Sequence, residues 1–176
     1  MYNARMSALR HVTIYTDGGC MGNPGPGGYA AILISGRHRK EITGGFRLTT
    51  NNRMEMMAVI VALKALRRRC KVTVYSDSQY LVNGINLGWA EGWRARGWRK
   101  SDKKPAENID LWTILLGLLE KHEAQLIWLR GHAGNPGNER CDELAVEMSQ
   151  RKNLPADEVY ERMAKAKEGA RGGSFI

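Results

Sequence analysis

Apolar and β-branched residues change their spacing along the chain, and each change marks an element. His11 to Thr16 and Tyr29 to Ser35 carry the β-branched and aromatic content of strands, and Glu41 to Leu48 adds a third. The glycine- and proline-rich stretch from Gly18 to Gly28 predicts a turn that folds the first two strands into a hairpin. From Asn52 to Arg68 the spacing becomes helical, with Met54, Met57, Ala58, Val61, Ala62 and Ala65 recurring on one face. Lys71 to Ser76 is again strand-like and Ser78 to Leu87 helical, so the order strand, helix, strand, helix implies a crossover to a parallel strand. Asn108 is placed to cap a helix through Lys121 that presents Ile109, Trp112, Leu115, Leu116 and Leu119. Gln125 to Leu129 reads as a further strand and Gly137 to Gln150 as the last helix of the core. Beyond Arg151 the pattern weakens, leaving a short amphipathic helix from Ala156 to Lys167 and an end from Gly169 to Ile176 that is expected to be mobile.

A chain of 176 residues suits one domain with its own apolar core. It contains no apolar run near the roughly 18 residues of a membrane span, so no membrane partner is expected. Met1 to Arg10 is polar and basic and leads into strand-like sequence rather than an apolar run, which argues against a signal peptide and for the cytoplasm. Lys and Arg outnumber Asp and Glu 27 to 18, a net charge of +9 that favours a polyanionic partner, nucleic acid foremost. Gly88 to Pro105 concentrates tryptophan and basic residues as a surface feature, with Trp98 assigned to packing beneath it. Cys20, Cys70 and Cys141 are odd in number and form no CxxC pair, so neither a disulfide framework nor a structural zinc site is expected.

Taken singly, each candidate acidic residue has a structural explanation. Asp17 precedes two glycines and can form an Asx-turn; Glu55 stands three residues after Asn52, as in a capping box. Asp77 or Ser78 can cap the helix that follows, and Asp142 sits among charges typical of a solvated helical face. Taken together they read differently, because two strands and two flanking helices can bring all four to one side of the sheet. Carboxylates so crowded repel unless a hard divalent cation lies among them, which favours magnesium over zinc. A pair of such ions is suited to phosphodiester cleavage. His132, in a glycine-bounded loop, is a candidate general base or proton shuttle.

Four segments resemble type 1 ribonuclease H of the bacterial type: TDGGCMGNPGPGGYA from Thr16, TTNNRMEMMA from Thr49, YSDSQY from Tyr75 and RGHAGNPGNERCDELA from Arg130. The resemblance implies a ribonuclease H-like fold, an α/β five-stranded mixed sheet of order 3-2-1-4-5 with helices on both faces. It implies a catalytic domain over residues 11–150, preceded by an extension over 1–10 and followed by a tail over 151–176. It further implies endonucleolytic cleavage of the RNA strand of RNA/DNA hybrids, with 5′-phosphate and 3′-hydroxyl ends. Asp17, Glu55, Asp77 and Asp142 match the family's metal-binding acids and His132 its loop histidine. Two magnesium ions, or manganese in their stead, would be the cofactors. Cys20, Asn23, Asn51 and Gln79 match groups that line the hybrid's minor groove, and Thr50 one near a DNA-strand phosphate. Residues 89–104 resemble the bacterial basic handle, in which Trp89 and Trp93 would cradle sugars while Arg94, Arg96, Arg99 and Lys100 meet phosphates. A monomer without an obligate protein partner is expected. The rival readings are a noncatalytic hybrid-binding module and a DNA strand-transfer enzyme of the wider superfamily. Intact acids argue against the first, and the 2′-hydroxyl-reading set with the handle against the second.

Overall fold

The structure, a computed structural model, describes the backbone of residues 8–172 and the side chains of residues 8–170. Of the expected N-terminal extension, residues 1–7 lie outside the described residues. Five strands form one sheet: β1 (His11–Cys20), β2 (Gly25–Ser35), β3 (His38–Thr49), β4 (Lys71–Ser76) and β5 (Glu123–Trp128), in the order β3-β2-β1-β4-β5. The β1–β2 and β2–β3 pairings are antiparallel, whereas β1–β4 and β4–β5 are parallel. This is the mixed sheet that the order of elements predicts. The helices are α1 (Asn51–Lys64), α2 (Gln79–Asn86), α3 (Trp89–Ala95), α4 (Ile109–Leu119), α5 (Pro136–Ser149) and α6 (Glu158–Gly172).

Strand β2 explains why the sheet is covered on both faces. Its run Ala30-Ala31-Ile32-Leu33 is buried throughout, and alternate residues enter different cores. Ala31 and Leu33 join Ile14's neighbours Val12, Val74, Met56 and Trp112 in the larger core, while Ala30 and Ile32 meet Cys141, Leu144 and Ala145 of α5. The sheet therefore lies between α1, α2 and α4 on one side and α5 on the other.

Three expectations need correction. The strands of the first hairpin run on to Cys20 and resume at Gly25, so the turn is confined to Met21–Pro24. The reason is that Asp17, Gly18, Gly19 and Cys20 still have partners, pairing with Ala30, Tyr29, Gly28 and Gly27. Asn108 adopts φ 56° and makes no cap with its side chain. Its amide instead donates to the Tyr80 hydroxyl at 3.2 Å and its Oδ1 accepts from Arg53 at 3.4 Å. Finally, the C-terminal helix extends to Gly172 rather than ending at Lys167. Residues 173–176 of the end expected to be mobile lie outside the described residues.

Candidate active site

The β1–β4 register decides where the first two acids meet. Tyr15 pairs with Tyr75 across parallel strands, so two residues further on Asp17, still within β1, stands beside Asp77, the first residue past β4. Glu55 arrives from the second turn of α1, which is capped by Thr50 rather than Asn52: the Thr50 hydroxyl accepts from the Arg53 N–H at 3.4 Å. Ser78 caps α2 by accepting from the Leu81 N–H at 3.3 Å, so the Asp77 carboxylate is not spent on that helix. One carboxylate oxygen from each of Asp17, Glu55 and Asp77 lies within 4.8 Å of the others.

Asp142 stands outside that triad but borders the same cavity, of about 310 Å³, together with His132, Cys20 and Asn51. Its neighbour Cys141 anchors α5 by donating its thiol to the Tyr15 carbonyl at 3.3 Å, two residues before Asp17. His132 is exposed, at φ 54°, in the loop between β5 and α5. The indole N–H of Trp128 donates to the Asp77 carbonyl at 3.0 Å and fixes the end of β4.

Burial and mutual repulsion dominate the electrostatics. Burial, then the Asp77 charge, raises the Asp17 carboxyl from 3.8 to about 7, against the lowering influence of the Gly18 N–H at 2.8 Å. Glu55 is pushed well above its ordinary value, first by burial and then by Asp17 and Asp77. Among the described residues, Glu55 Oε2 and Asn138 Nδ2 are the buried polar side-chain atoms without a hydrogen-bond partner. An orphaned carboxylate oxygen beside two further carboxylates fits a hard divalent cation, which prefers oxygen ligands and offsets their repulsion.

Close packing that sequence reading assigned only to backbone turning makes this cluster possible. A Cβ built on Gly18 would lie 2.3 Å from the Met54 carbonyl carbon and 2.5 Å from the Glu55 nitrogen. Only glycine lets β1 approach the start of α1 this closely. Gly28 does the same for α5, since its Cβ would lie 2.1 Å from the Ala145 carbonyl oxygen. Because backbone meets backbone, Gly18→Ala is expected to cost about 1–3 kcal/mol in urea denaturation. It should also weaken the cluster's hold on a divalent ion by separating Asp17 from Glu55, and unchanged stability would show that α1 can shift freely.

The residues matched to substrate contacts divide into two groups. Near the acids, the Asn51 Oδ1 accepts from the Cys20 N–H at 2.8 Å and the Asn23 Oδ1 from the Asn51 N–H at 3.1 Å. These acceptors join the hairpin to α1. Burial, then the Asp157 charge, raises the Cys20 thiol to about 11, so it stays protonated at neutral pH. Gln79 is exposed on the first turn of α2.

In the handle, Trp89 is 42% exposed, whereas Trp93 is only partly accessible and lies edge-on to Trp112, with ring centroids 6.0 Å apart. The expectation of a sugar cradle thus meets a packing role at Trp93. Trp98 also packs against the core. Arg94 is paired with Glu91 at 2.9 Å and Glu120 at 2.8 Å, and Arg99 donates to the Lys103 carbonyl at 3.0 Å. Arg96 is exposed and folds over Gly92, and Lys100 is half-buried at the base of the loop. Much of the positive charge lies elsewhere: Arg10, Lys40, Arg67, Arg68 and Arg69 border a larger hollow of about 730 Å³ at the opposite end of β1.

An acid cluster of this kind at the end of the central strands defines a metal-dependent hydrolase built on an α/β sheet. The sequence profile of the RNase H family matches residues 9–150. The chain is 59% identical over 152 residues to a ribonuclease H of Rippkaea orientalis, covering 86% of this chain and 93% of the relative. Among solved structures, it is similar to LC9-RNase H1, a type 1 RNase H with the type 2 active-site motif, at 32% identity and a TM-score of 0.72, over 80% of this chain and 72% of that one. It is also similar to LC11-RNase H1, solved in complex with an RNA/DNA hybrid, at 25% identity and a TM-score of 0.58, over 77% and 94%. The chain belongs to the ribonuclease H family, in its type 1, bacterial form.

Proposed function

We propose that this protein cleaves the RNA strand of RNA/DNA hybrids endonucleolytically, leaving 5′-phosphate and 3′-hydroxyl ends, with two divalent ions held by Asp17, Glu55, Asp77 and Asp142. The observation that carries the reading is the triad within 4.8 Å, one of whose buried oxygens has no partner. Magnesium is the favoured ion and manganese the alternative, because every available ligand is a hard oxygen. Bound ions of this class supply Lewis acidity to phosphodiester hydrolysis. The remaining work belongs to the chain's own residues. His132, exposed at the mouth of the cavity, moves a proton between the site and solvent.

Cys20, Asn23, Asn51 and Gln79 face the hybrid's minor groove, where a 2′-hydroxyl distinguishes RNA from DNA. Thr50 sits beside a phosphate of the DNA strand. The handle, through Trp89, Arg94, Arg96, Arg99 and Lys100, steers and positions the duplex without reading its sequence. Trp93 supports this surface from beneath. The LC11-RNase H1 complex with a hybrid supports the same substrate for this chain. In this reading residues 11–150 carry the chemistry, the protein acts as a monomer, and its compartment is the cytoplasm. Among the described residues, no helix is long and apolar enough to cross a membrane.

The test is direct. End-labelled RNA/DNA hybrid, double-stranded RNA and double-stranded DNA are incubated with the protein, with magnesium or with chelator. Cutting of RNA in the hybrid alone, and only with the ion, is expected. Tight hybrid binding without cutting would favour the noncatalytic module.

A further inference from the structure

Sequence reading found no role for the segment after Arg151, yet that segment inserts a carboxylate into the interior. Asp157 is 5% exposed and faces Arg53, which is 2% exposed and lies two residues before Glu55 on α1. All five guanidinium N–H donors of Arg53 are used. Nε and one Nη2 hydrogen go to Asp157, at 2.6 and 2.9 Å. Nη1 and the other Nη2 hydrogen go to Asp110 of α4, at 2.9 and 2.7 Å. The last Nη1 hydrogen reaches Asn108 at 3.4 Å. Asp157 is further held by the Thr49 hydroxyl at 2.7 Å and accepts from the Tyr160 N–H at 3.3 Å at the start of α6.

The guanidinium thus joins three separate pieces. One is the N-terminal part of α1, with its cap Thr50 and with Asn51 and Glu55. The second is the start of α4, immediately after the handle, where Asn108 also holds Tyr80 of α2. The third is the C-terminal segment, tied down independently where the Arg47 N–H meets the Pro155 carbonyl at 2.9 Å and Arg47 grips Glu161 at 2.8 Å. The Asp157 charge is also felt at Cys20, the last residue of β1. Planar, bidentate pairing on two sides leaves a guanidinium little freedom to rotate.

We infer that Asp157, acting through Arg53, is a positioning residue for the hybrid: it sets where the handle stands relative to the minor-groove residues at the start of α1. The inference rests on the hybrid reading above. It makes the C-terminal segment part of the substrate-binding unit rather than an appendage. Asn keeps the shape and the helix-capping capacity of Asp but gives up the charge and one acceptor, so Asp157→Asn loosens the clamp with little steric change.

Hybrid affinity is measured by fluorescence anisotropy in chelator, so that no metal chemistry enters, and KM and kcat are measured with magnesium. All are taken at a temperature where circular dichroism shows the variant native. The variant is expected to bind hybrid on the order of tenfold more weakly and to show a matching rise in KM. Glu161→Gln, which cuts the exposed tie of the same segment without touching Arg53, is expected to leave both unchanged. A lower Tm with unaltered affinity and KM would reduce Asp157 to a structural staple and overturn the inference. Should Asp157→Asn fail to fold, Asp110→Asn loosens the same guanidinium from the handle side, and unaltered hybrid affinity there would equally overturn it. Wild-type protein that neither binds nor cuts hybrid would instead refute the substrate reading.

Discussion

Asp77→Asn is expected to reduce hybrid cleavage about a thousandfold or more while leaving the ion-free protein at least as stable as the wild type. Loss of one ligand from a divalent site removes several kcal/mol of transition-state stabilisation, and each 1.36 kcal/mol is a factor of ten. Stability should move the other way. The Asp77 charge raises both Asp17 and Glu55, so neutralising it relieves repulsion within a buried cluster. Nothing structural is given up in exchange. Ser78 provides the cap of α2, and it is the backbone carbonyl of residue 77 that accepts from Trp128. Single-turnover cleavage and urea denaturation in chelator together decide the matter. Hybrid binding in chelator should hold or tighten, since one negative charge has left the path of the phosphates. A clear fall in Tm would assign Asp77 a structural role instead.

The second large effect is on pH dependence. In chelator, stability is expected to fall as pH rises from about 4 to about 7. Asp17 titrates at about 7 when folded and near 3.8 when unfolded, so the native chain holds a proton that unfolding releases across this window. The contribution is fully present below pH 3.8 and is lost as pH passes about 7. Its size is on the order of 4 kcal/mol, three pH units at about 1.4 kcal/mol each. Glu55, also raised, acts in the same direction. Glu41 and Glu161 act in the opposite direction, because Arg140 and Arg47 hold their carboxyls below the ordinary value. Glu41 is exposed, and the Arg47 that pairs with the partly accessible Glu161 is exposed too, so solvent screens both pairs. Comparing wild type with Asp17→Asn isolates the site, and the decline should be much shallower in the variant. Magnesium should restore stability at pH 7.5 far more than at pH 4.5, because the ion competes with the bound protons. Parallel stability profiles for wild type and Asp17→Asn would contradict this account.

These expectations rest on features unequally visible in the sequence. The strands and the crossover were legible because β-branched content marks strands and a helix between Leu48 and Lys71 demands a parallel return, whereas the strand order followed from the family resemblance. The convergence of Asp17 with Asp77 follows from parallel register. The role of Gly18 was not visible, since a glycine after an aspartate also suits a turn, and only the nearness of α1 shows why a side chain cannot fit. Asn108 holds the cap position of α4 with its backbone, its carbonyl accepting from the Trp112 N–H, but tertiary partners in Tyr80 and Arg53 claim its side chain. Trp93 was assigned to the surface from the basic residues around it, whereas Trp112, nineteen positions on, packs against it. Asp157 was hidden most completely. Its partner lies 104 positions earlier, and one acid in a polar tail looks like solvated charge. Its counterpart in the sequence, Arg53, sits in a motif whose glutamate draws the attention.

The order of the acids along the chain has a consequence for synthesis. Asp17, Glu55 and Asp77 are all made before β5, but α5 must still leave the ribosome and settle on Gly28 before Asp142 borders the same cavity. A nascent chain therefore carries the Asp17, Glu55 and Asp77 triad before α5 can bring Asp142 to the border of their cavity.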